Sequence, residues 1–476
     1  MATLVILAAQ SFDVSRWNLE KNVSFMAVSL AAMETARQKK IVFYVPEDVL
    51  SWTELAKEAP DFIANAIEWM EDLDDILKPL VHFDRSFSAN GYWFLSRLCN
   101  IHYLHALATR IEKEFDSVHI VTDFEIPRMV PPEIDLNSLD LRTCGVGTPH
   151  VLKILQVLTN ATHEVSMLEE AQNVSWRRET WNSLLRRLPA IMLRRMFYLI
   201  KKFSAYLRPK FGTLLVVQDG YEVEQFRARC PRYKYDTSSK DLWIDFDKHD
   251  VVKVTPNIVE EIRERSINFF DAHLPGISIW LLQLITAYTG NVVSYIPNVR
   301  TEIDLKLRKA NLSGVLFSKG SETVVDTLIC EEAIRQSKPI FFFKHGGIEN
   351  LFVKPSQRDL FFELNPRIER TQFVFSEIDF EFYREMGKIS AVKVGRMERA
   401  TKTKISKRSE RKILYCFGAP AHSTYKDMLT VTSDFERWKF ARQVIQSCIA
   451  LGLRLDIKPH PLNWEGDTAF VNMIIN

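Results

Sequence analysis

The chain has 476 residues, 46% apolar and 26% charged, a composition that excludes a disordered protein and leaves room for two or three globular domains. Its 62 basic and 60 acidic residues leave a formal net charge of +2, which gives no support to a nucleic-acid partner met through overall charge. Six scattered cysteines without a CxxC pair (Cys99, Cys144, Cys230, Cys330, Cys416 and Cys448) fit neither a disulfide scaffold nor a zinc finger and point to a reducing, cytoplasmic compartment.

In chain order, Leu4 to Ala9 is apolar with no Lys or Arg before it, and reads as a first buried strand rather than a secretory signal. The acidic run Glu68, Glu71, Asp72, Asp74 and Asp75 lies at helical spacing beside Trp69, Met70, Leu73 and Ile76, and reads as a solvated helix face. His102 and His105 share a helix face. No Glu-x-x-His or Cys set accompanies them, so they read as a buried or solvated pair, and no metal site is expected. Short β-branched or aromatic runs recur at Thr3 to Ala8, Ile41 to Val45, Val118 to Thr122, Thr213 to Gln218, Val292 to Ile296, Gly314 to Ser318, Pro339 to Lys344, Gln372 to Phe375, Lys412 to Phe417 and Leu453 to Lys458. Their alternation with helical stretches predicts an α/β fold with a Rossmann-like parallel sheet, whose ligands gather at the carboxyl ends of the strands.

Between Glu164 and Pro209 the rhythm changes to a helical insertion, at about residues 160–210. Basic pairs at Arg177 and Arg178, Arg186 and Arg187, Arg194 and Arg195, and Lys201 and Lys202 alternate with Trp and Leu. Either this face lies on an anionic membrane surface, or the apolar stripe packs on the core and the arginines are solvated. The longest apolar stretch elsewhere, Ile277 to Tyr288, is about a dozen residues against the roughly 20 that cross a bilayer, so no transmembrane helix is expected. With 16 glycines and no GxGxxG or GxxxxGK[ST], the common dinucleotide and P-loop readings lose their main support.

The strand over Leu453 to Lys458 runs into Lys458-Pro459-His460-Pro461. Residues two apart on an extended segment share a side, so Lys458 and His460 can converge, while the prolines stiffen the turn. An ammonium beside an imidazole at the end of a buried parallel strand suits the phosphate of a nucleotide-activated donor; a polar loop histidine between prolines is the plainer alternative. Upstream, the strand Lys412 to Phe417 opens into Gly418-Ala419-Pro420-Ala421-His422-Ser423-Thr424, where Gly418 admits close backbone approach to a phosphate and Ser423 adds a donor. A general base is sought at strand ends: Asp219, Glu322 and His345, each equally readable as a turn or capping residue.

The order of a small-residue loop, a helix over Phe435 to Leu451, a strand and Lys458-Pro459-His460-Pro461 resembles the opening of the donor domain in glycosyltransferase-B enzymes of bacterial surface carbohydrate (capsule or O-antigen) biosynthesis. These include Kdo transferases, polysialyltransferases and teichoic-acid glycerophosphotransferases. Phe341 to Gly347, Gln372 to Ser376 and Val392 to Arg396 look like the end of the first domain of that scaffold. The resemblance follows residues 314–476 in order and residues 1–310 only in class. It implies that His460, with Lys458 beside it, touches the donor's phosphate. It implies an acceptor-side domain over 1–400, a linker over 401–411 and the start of a donor domain over 412–476. Such donor domains have about six strands, so a truncation is expected, or an appendage packed on the first domain, because so short a piece buries too little to fold alone. The expected activity is metal-independent transfer of a sugar from a nucleotide sugar to a glycan or lipid-linked acceptor, without a cofactor, at the inner face of the membrane. The alternatives are a sugar-nucleotide epimerase on the same scaffold and a non-catalytic assembly partner.

Overall fold

The computed structural model describes residues 2–15, 17, 22–50, 52–83, 86–87, 91–126, 149–166, 211–217, 221–237, 256–309, 312–317, 324–343, 368–385, 389–394, 412–416, 434–458 and 464–475. The chain begins with β1 (Thr3–Leu7), β2 (Val23–Ala27), α1 (Leu30–Gln38), α2 (Pro46–Val49), α3 (Trp52–Val81), α4 (Gly91–Glu114), β3 (Ser117–Thr122), α5 (Pro149–Thr159) and β4 (Thr162–Val165). It continues through β5 (Gly212–Val216), α6 (Tyr221–Arg229), β6 (Tyr233–Asp236), α7 (Pro256–His273), α8 (Ser278–Leu307), β7 (Leu312–Phe317), α9 (Val324–Arg335) and β8 (Ile340–Phe343). It closes with β9 (Arg370–Val374), α10 (Glu377–Arg384), β10 (Ile389–Lys393), β11 (Lys412–Cys416), α11 (Asp434–Ala450), β12 (Arg454–Lys458) and α12 (Trp464–Ile475).

These elements make an α/β protein of parallel sheets, in two compact units. One contains Met1–Glu169, His249–Tyr295 and Thr401–Asn476; the other contains Glu170–Lys248 and Ile296–Ala400. In the first unit, the four-stranded sheet has the order β2-β1-β3-β4. Every residue of β1 is buried, so both faces of this central strand are covered and its continuous apolar run needs no alternation. Ser29 starts α1 by accepting the Ala32 N–H at 3.1 Å, while its own hydroxyl donates to the Ala8 carbonyl at 3.2 Å, which ties the helix start to the end of β1.

On the outer side of α1 lie α11 and α12. Trp438, Ala441 and Ile445 of α11, at helical spacing, share one core with Phe470 and Val471 of α12, Ala32, Met33 and Ala36 of α1, and Val5 and Leu7 of β1. At its centre sits Glu34, which is fully buried. Its carboxylate accepts from Arg37 Nη2 at 2.6 Å and from the Trp438 indole N–H at 3.1 Å, and lies 3.5 Å from Arg442 Nε. Gln38 donates to the Met473 carbonyl at 2.6 Å. The described residues of 412–476, expected as the opening of a separate domain or as an appendage packed on the first, thus share the core of the unit that contains β1. Their two strands form a separate parallel pair, β11-β12.

In the second unit the six-stranded sheet has the order β10-β9-β8-β7-β5-β6, again all parallel. Aromatic residues fill it: Phe317 stacks on Phe342 at 4.4 Å, and Phe341 on Phe373 at 6.0 Å. Gly314 is required where β7 meets the start of β8, because a Cβ there would lie 2.8 Å from the Pro339 carbonyl oxygen.

Several expected strands are placed differently. Val292 to Ile296 lies inside α8, where a β-branched pair is taken up by a helix that is long and apolar enough to cross a membrane by length and composition. Of its most apolar window 64% is buried, and a core helix passes the same test. Ile41 to Val45 makes only a bridge, Tyr44 to Met26, and the neighbour of β1 is instead β2. The strands β4, β6 and β10, which the sequence reading passed over, are sheet edges of four or five residues with mixed polar composition, a pattern with little periodic signal.

Glu34→Ala leaves the Trp438 indole without its acceptor and should lower stability by about 2–4 kcal/mol, while Glu34→Gln, which keeps an acceptor, should cost less. Urea unfolding measures both, and an unchanged midpoint for Glu34→Ala would remove the carboxylate from this role. Gly314→Ala should cost about 1–3 kcal/mol by overpacking, read as a lower thermal midpoint.

Candidate functional site

A parallel sheet releases every strand at the same edge, and where neighbouring strands send their connections in opposite directions a crevice opens. In the six-stranded sheet this point falls between β5 and β7, since the chain goes from β5 to β6 on one side and returns to β7 on the other. The end of β5 is held in register by the Val217 N–H, which donates to the Leu316 carbonyl at 2.9 Å. Asp219 follows β5, Glu322 follows β7, and His345 follows β8, the next strand along. All three lie outside the described residues, as do Gly418, Ser423 and His460, the linker 401–411 and the basic pairs from Arg177 to Lys202.

Lys458 is described. It is the last residue of β12, opposite Cys416, the last residue of β11. Along β12 the burial alternates: Leu455 and Ile457 are half-buried against the shared core, whereas Arg454, Asp456 and Lys458 are exposed. The strand therefore has one covered face and one open face, and is not the buried strand that the sequence reading expects. The spelling Leu453-Arg454-Leu455-Asp456-Ile457-Lys458 alternates apolar with charged residues and carried that information. Lys458 stands on the open face, in the same row as Arg454, whose Nε lies 3.4 Å from Asp456 Oδ1.

The four-stranded sheet has its own reversal, between β1 and β3. There the Gln10 N–H donates to Asp123 Oδ2 at 3.0 Å and Thr35 donates to the Gln10 carbonyl at 2.6 Å. Thr122, at the end of β3, pairs with His163 Nε2 of β4 at 2.8 Å, and burial holds the His163 imidazole below its ordinary pKa, opposed by Glu125. Asp123 thus stands at a second carboxyl edge, and His163 reaches Thr122 there from β4; neither was singled out by sequence. Asp123 was legible, because it directly follows a run read as a strand; His163 was not, because β4 is a short edge strand.

No protein-family profile, characterised protein or solved structure matches this chain. Among the described residues no group of three His, Cys, Asp or Glu side chains has the arrangement to hold a metal ion.

The exposed thiol of Cys416 reports on the open end of β11 and β12. Cys99, Cys330 and Cys448 are buried, and burial together with Asp326 pushes the Cys330 thiol well above its ordinary pKa, with Arg370 opposing. Cys416→Ser should therefore remove a fast-reacting thiol from the native protein, counted with a thiol reagent. Equal counts in the two proteins would show that this edge is covered.

Proposed function

We propose that this protein is a glycosyltransferase of surface polysaccharide assembly, moving a sugar from a nucleotide-activated donor to a glycan or lipid-linked acceptor. The observation that carries the reading is topological. The three candidate bases follow β5, β7 and β8, three adjacent strands of a parallel sheet, at and beside the point where its connections reverse. The strand order of both larger sheets, second-first-third-fourth in each, is that of nucleotide-binding flavodoxin-type sheets rather than the 3-2-1-4-5-6 order, and both orders place ligands at the reversal. A Rossmann-like, glycosyltransferase-B type scaffold is part of this proposal.

In the proposed reaction, one of Asp219, Glu322 or His345 takes the proton of the acceptor hydroxyl as its oxygen attacks the anomeric carbon. The bond from that carbon to the donor phosphate breaks, and the nucleotide leaves with the electron pair. Lys458 and His460, with Gly418 and Ser423, are the proposed contacts for a donor phosphate within their own unit, where an ammonium, an imidazole, backbone N–H groups and a hydroxyl can each donate to it.

Loss of the true base should lower kcat by about 10²–10⁴-fold with donor binding retained, so Asp219→Asn, Glu322→Gln and His345→Ala are compared under saturating donor. Removing a charge-assisted contact costs about 1.5–3 kcal/mol, so Lys458→Ala and His460→Ala should weaken donor binding by about 10–100-fold in calorimetry with a panel of uridine, guanosine and cytidine nucleotide sugars. The bound nucleotide should also slow labelling of Cys416. Wild-type binding by both variants would end the donor-site assignment.

The exposed position of Lys458 on an open sheet face favours one second reading, a non-catalytic assembly partner. It predicts no heat of binding with any nucleotide sugar, and association with anionic vesicles that is lost when the basic pairs from Arg177 to Lys202 are neutralised. An epimerase on the same scaffold would convert free nucleotide sugar without an acceptor.

A further inference from the structure

The pair His102 and His105 of α4 has a third member far away in sequence, His273, the last residue of α7. His102 stacks on Phe62 of α3, with ring centroids 4.1 Å apart and planes 9° from parallel. His273 meets the same Phe62 edge-on at 5.8 Å and packs on Phe269 of α7 at 5.0 Å, and its Nε2 lies 3.4 Å from the Asn65 amide of α3. His105 is hydrogen-bonded to the backbone of Pro275, in the turn between α7 and α8. That turn passes through Gly276 at φ +88°, so its path is fixed by a residue that tolerates the left-handed region. Three imidazoles thus hold the end of α7 and the following corner on α3 and α4.

We propose that this histidine cluster is an acid-sensitive latch, which holds the α7–α8 corner on α3 and α4 while its imidazoles are neutral and releases it when they take up protons.

The groups that face the cluster give the sign. From α3 come Phe62 and Asn65, neither of which carries charge. From α4 come His102, His105 and Glu112, and from α7 come His273 and Phe269. Burial lowers His102 from 6.5 to about 4, reinforced by His105 and His273. Burial also lowers His105, opposed by the Pro275 backbone and Glu112, and lowers His273. Every shift favours the neutral form, and Glu112 is the one carboxylate acting against it in these causes. A base whose pKa is depressed in the closed state stabilises that state fully above pH 6.5, and the contribution fades between 6.5 and about 4. A released His102 with an ordinary pKa would by itself raise the opening constant about tenfold between pH 7.5 and pH 5.5. The second protonation is harder than the first while the cluster stays closed, because like charges then share one apolar junction.

Hydrogen exchange with mass spectrometry, corrected for the intrinsic pH dependence of exchange, tests this on the full chain. Peptides from residues 256–277 should lose about tenfold or more protection from pH 7.5 to pH 5.5, while peptides from β5 and β7 do not. His102→Phe keeps a ring on Phe62 but takes no proton, and should cut the acid effect to a few-fold. If that variant does not fold, His273→Gln, which retains a partner for Asn65, should reduce the effect in the same direction. Protection in 256–277 that falls no more than in β5 and β7, or an acid effect undiminished in the folded variant, would overturn the proposal.

Discussion

Parallel pairing is the constraint from which the rest follows. Every strand pair among the described residues is parallel, so each strand must be followed by a connection that returns to the opposite edge of its sheet before the next can pair. Two things result. The central strands are covered on both faces, as β1 and most of β7 are, and residues far apart in sequence arrive together at one carboxyl edge. Asp219 lies about a hundred residues before Glu322 and His345 follows Glu322 more closely, yet the order of β5, β7 and β8 makes the strands that deliver all three neighbours.

The buried carboxylate of Glu34 shows how the described residues of 412–476 are held in their unit. A parallel pair of two strands cannot bury enough surface to stand alone. It is instead backed by α11 and α12, and these helices are docked on α1 through small residues and an indole that needs an acceptor. A charge with no exposure is costly unless it is fully engaged, and Glu34 meets that condition with donors from α1 and α11 together. The same residue that would be solvated on an isolated α1 therefore makes the docking of α11 specific. Sequence offered no way to see this, because Glu34 stands in Ala31 to Arg37 like an ordinary solvated helix residue and its partners on α11 lie some four hundred positions away.

What was legible divides by kind of signal. Strong apolar runs, such as Leu4 to Leu7, Thr213 to Val216, Val315 to Phe317 and Phe341 to Phe343, identify central strands correctly, because a strand buried on both faces must be apolar throughout. The same signal fails at Val292 to Ile296, since a short apolar run is compatible with a buried helix and only the surrounding length of α8 distinguishes them. The edge strands β2, β4, β6 and β10 and the long-range partners were out of reach. The sequence shows His102 and His105 on one helix face, but His273, which joins them, enters through the packing of α7 against α3.

The open face of β11 and β12 bears on how a phosphate could be received at all. A cation fully buried in the sheet would lose its hydration before any ligand arrived, and its pKa would fall. Lys458 is exposed and is the final residue of β12, at the carboxyl edge of the pair. The residue directly across the pair from Lys458 is Cys416 and not a carboxylate, whereas Arg454 is matched by Asp456 along its row. The alternation that denies β12 a buried position is thus the same feature that leaves its terminal lysine exposed.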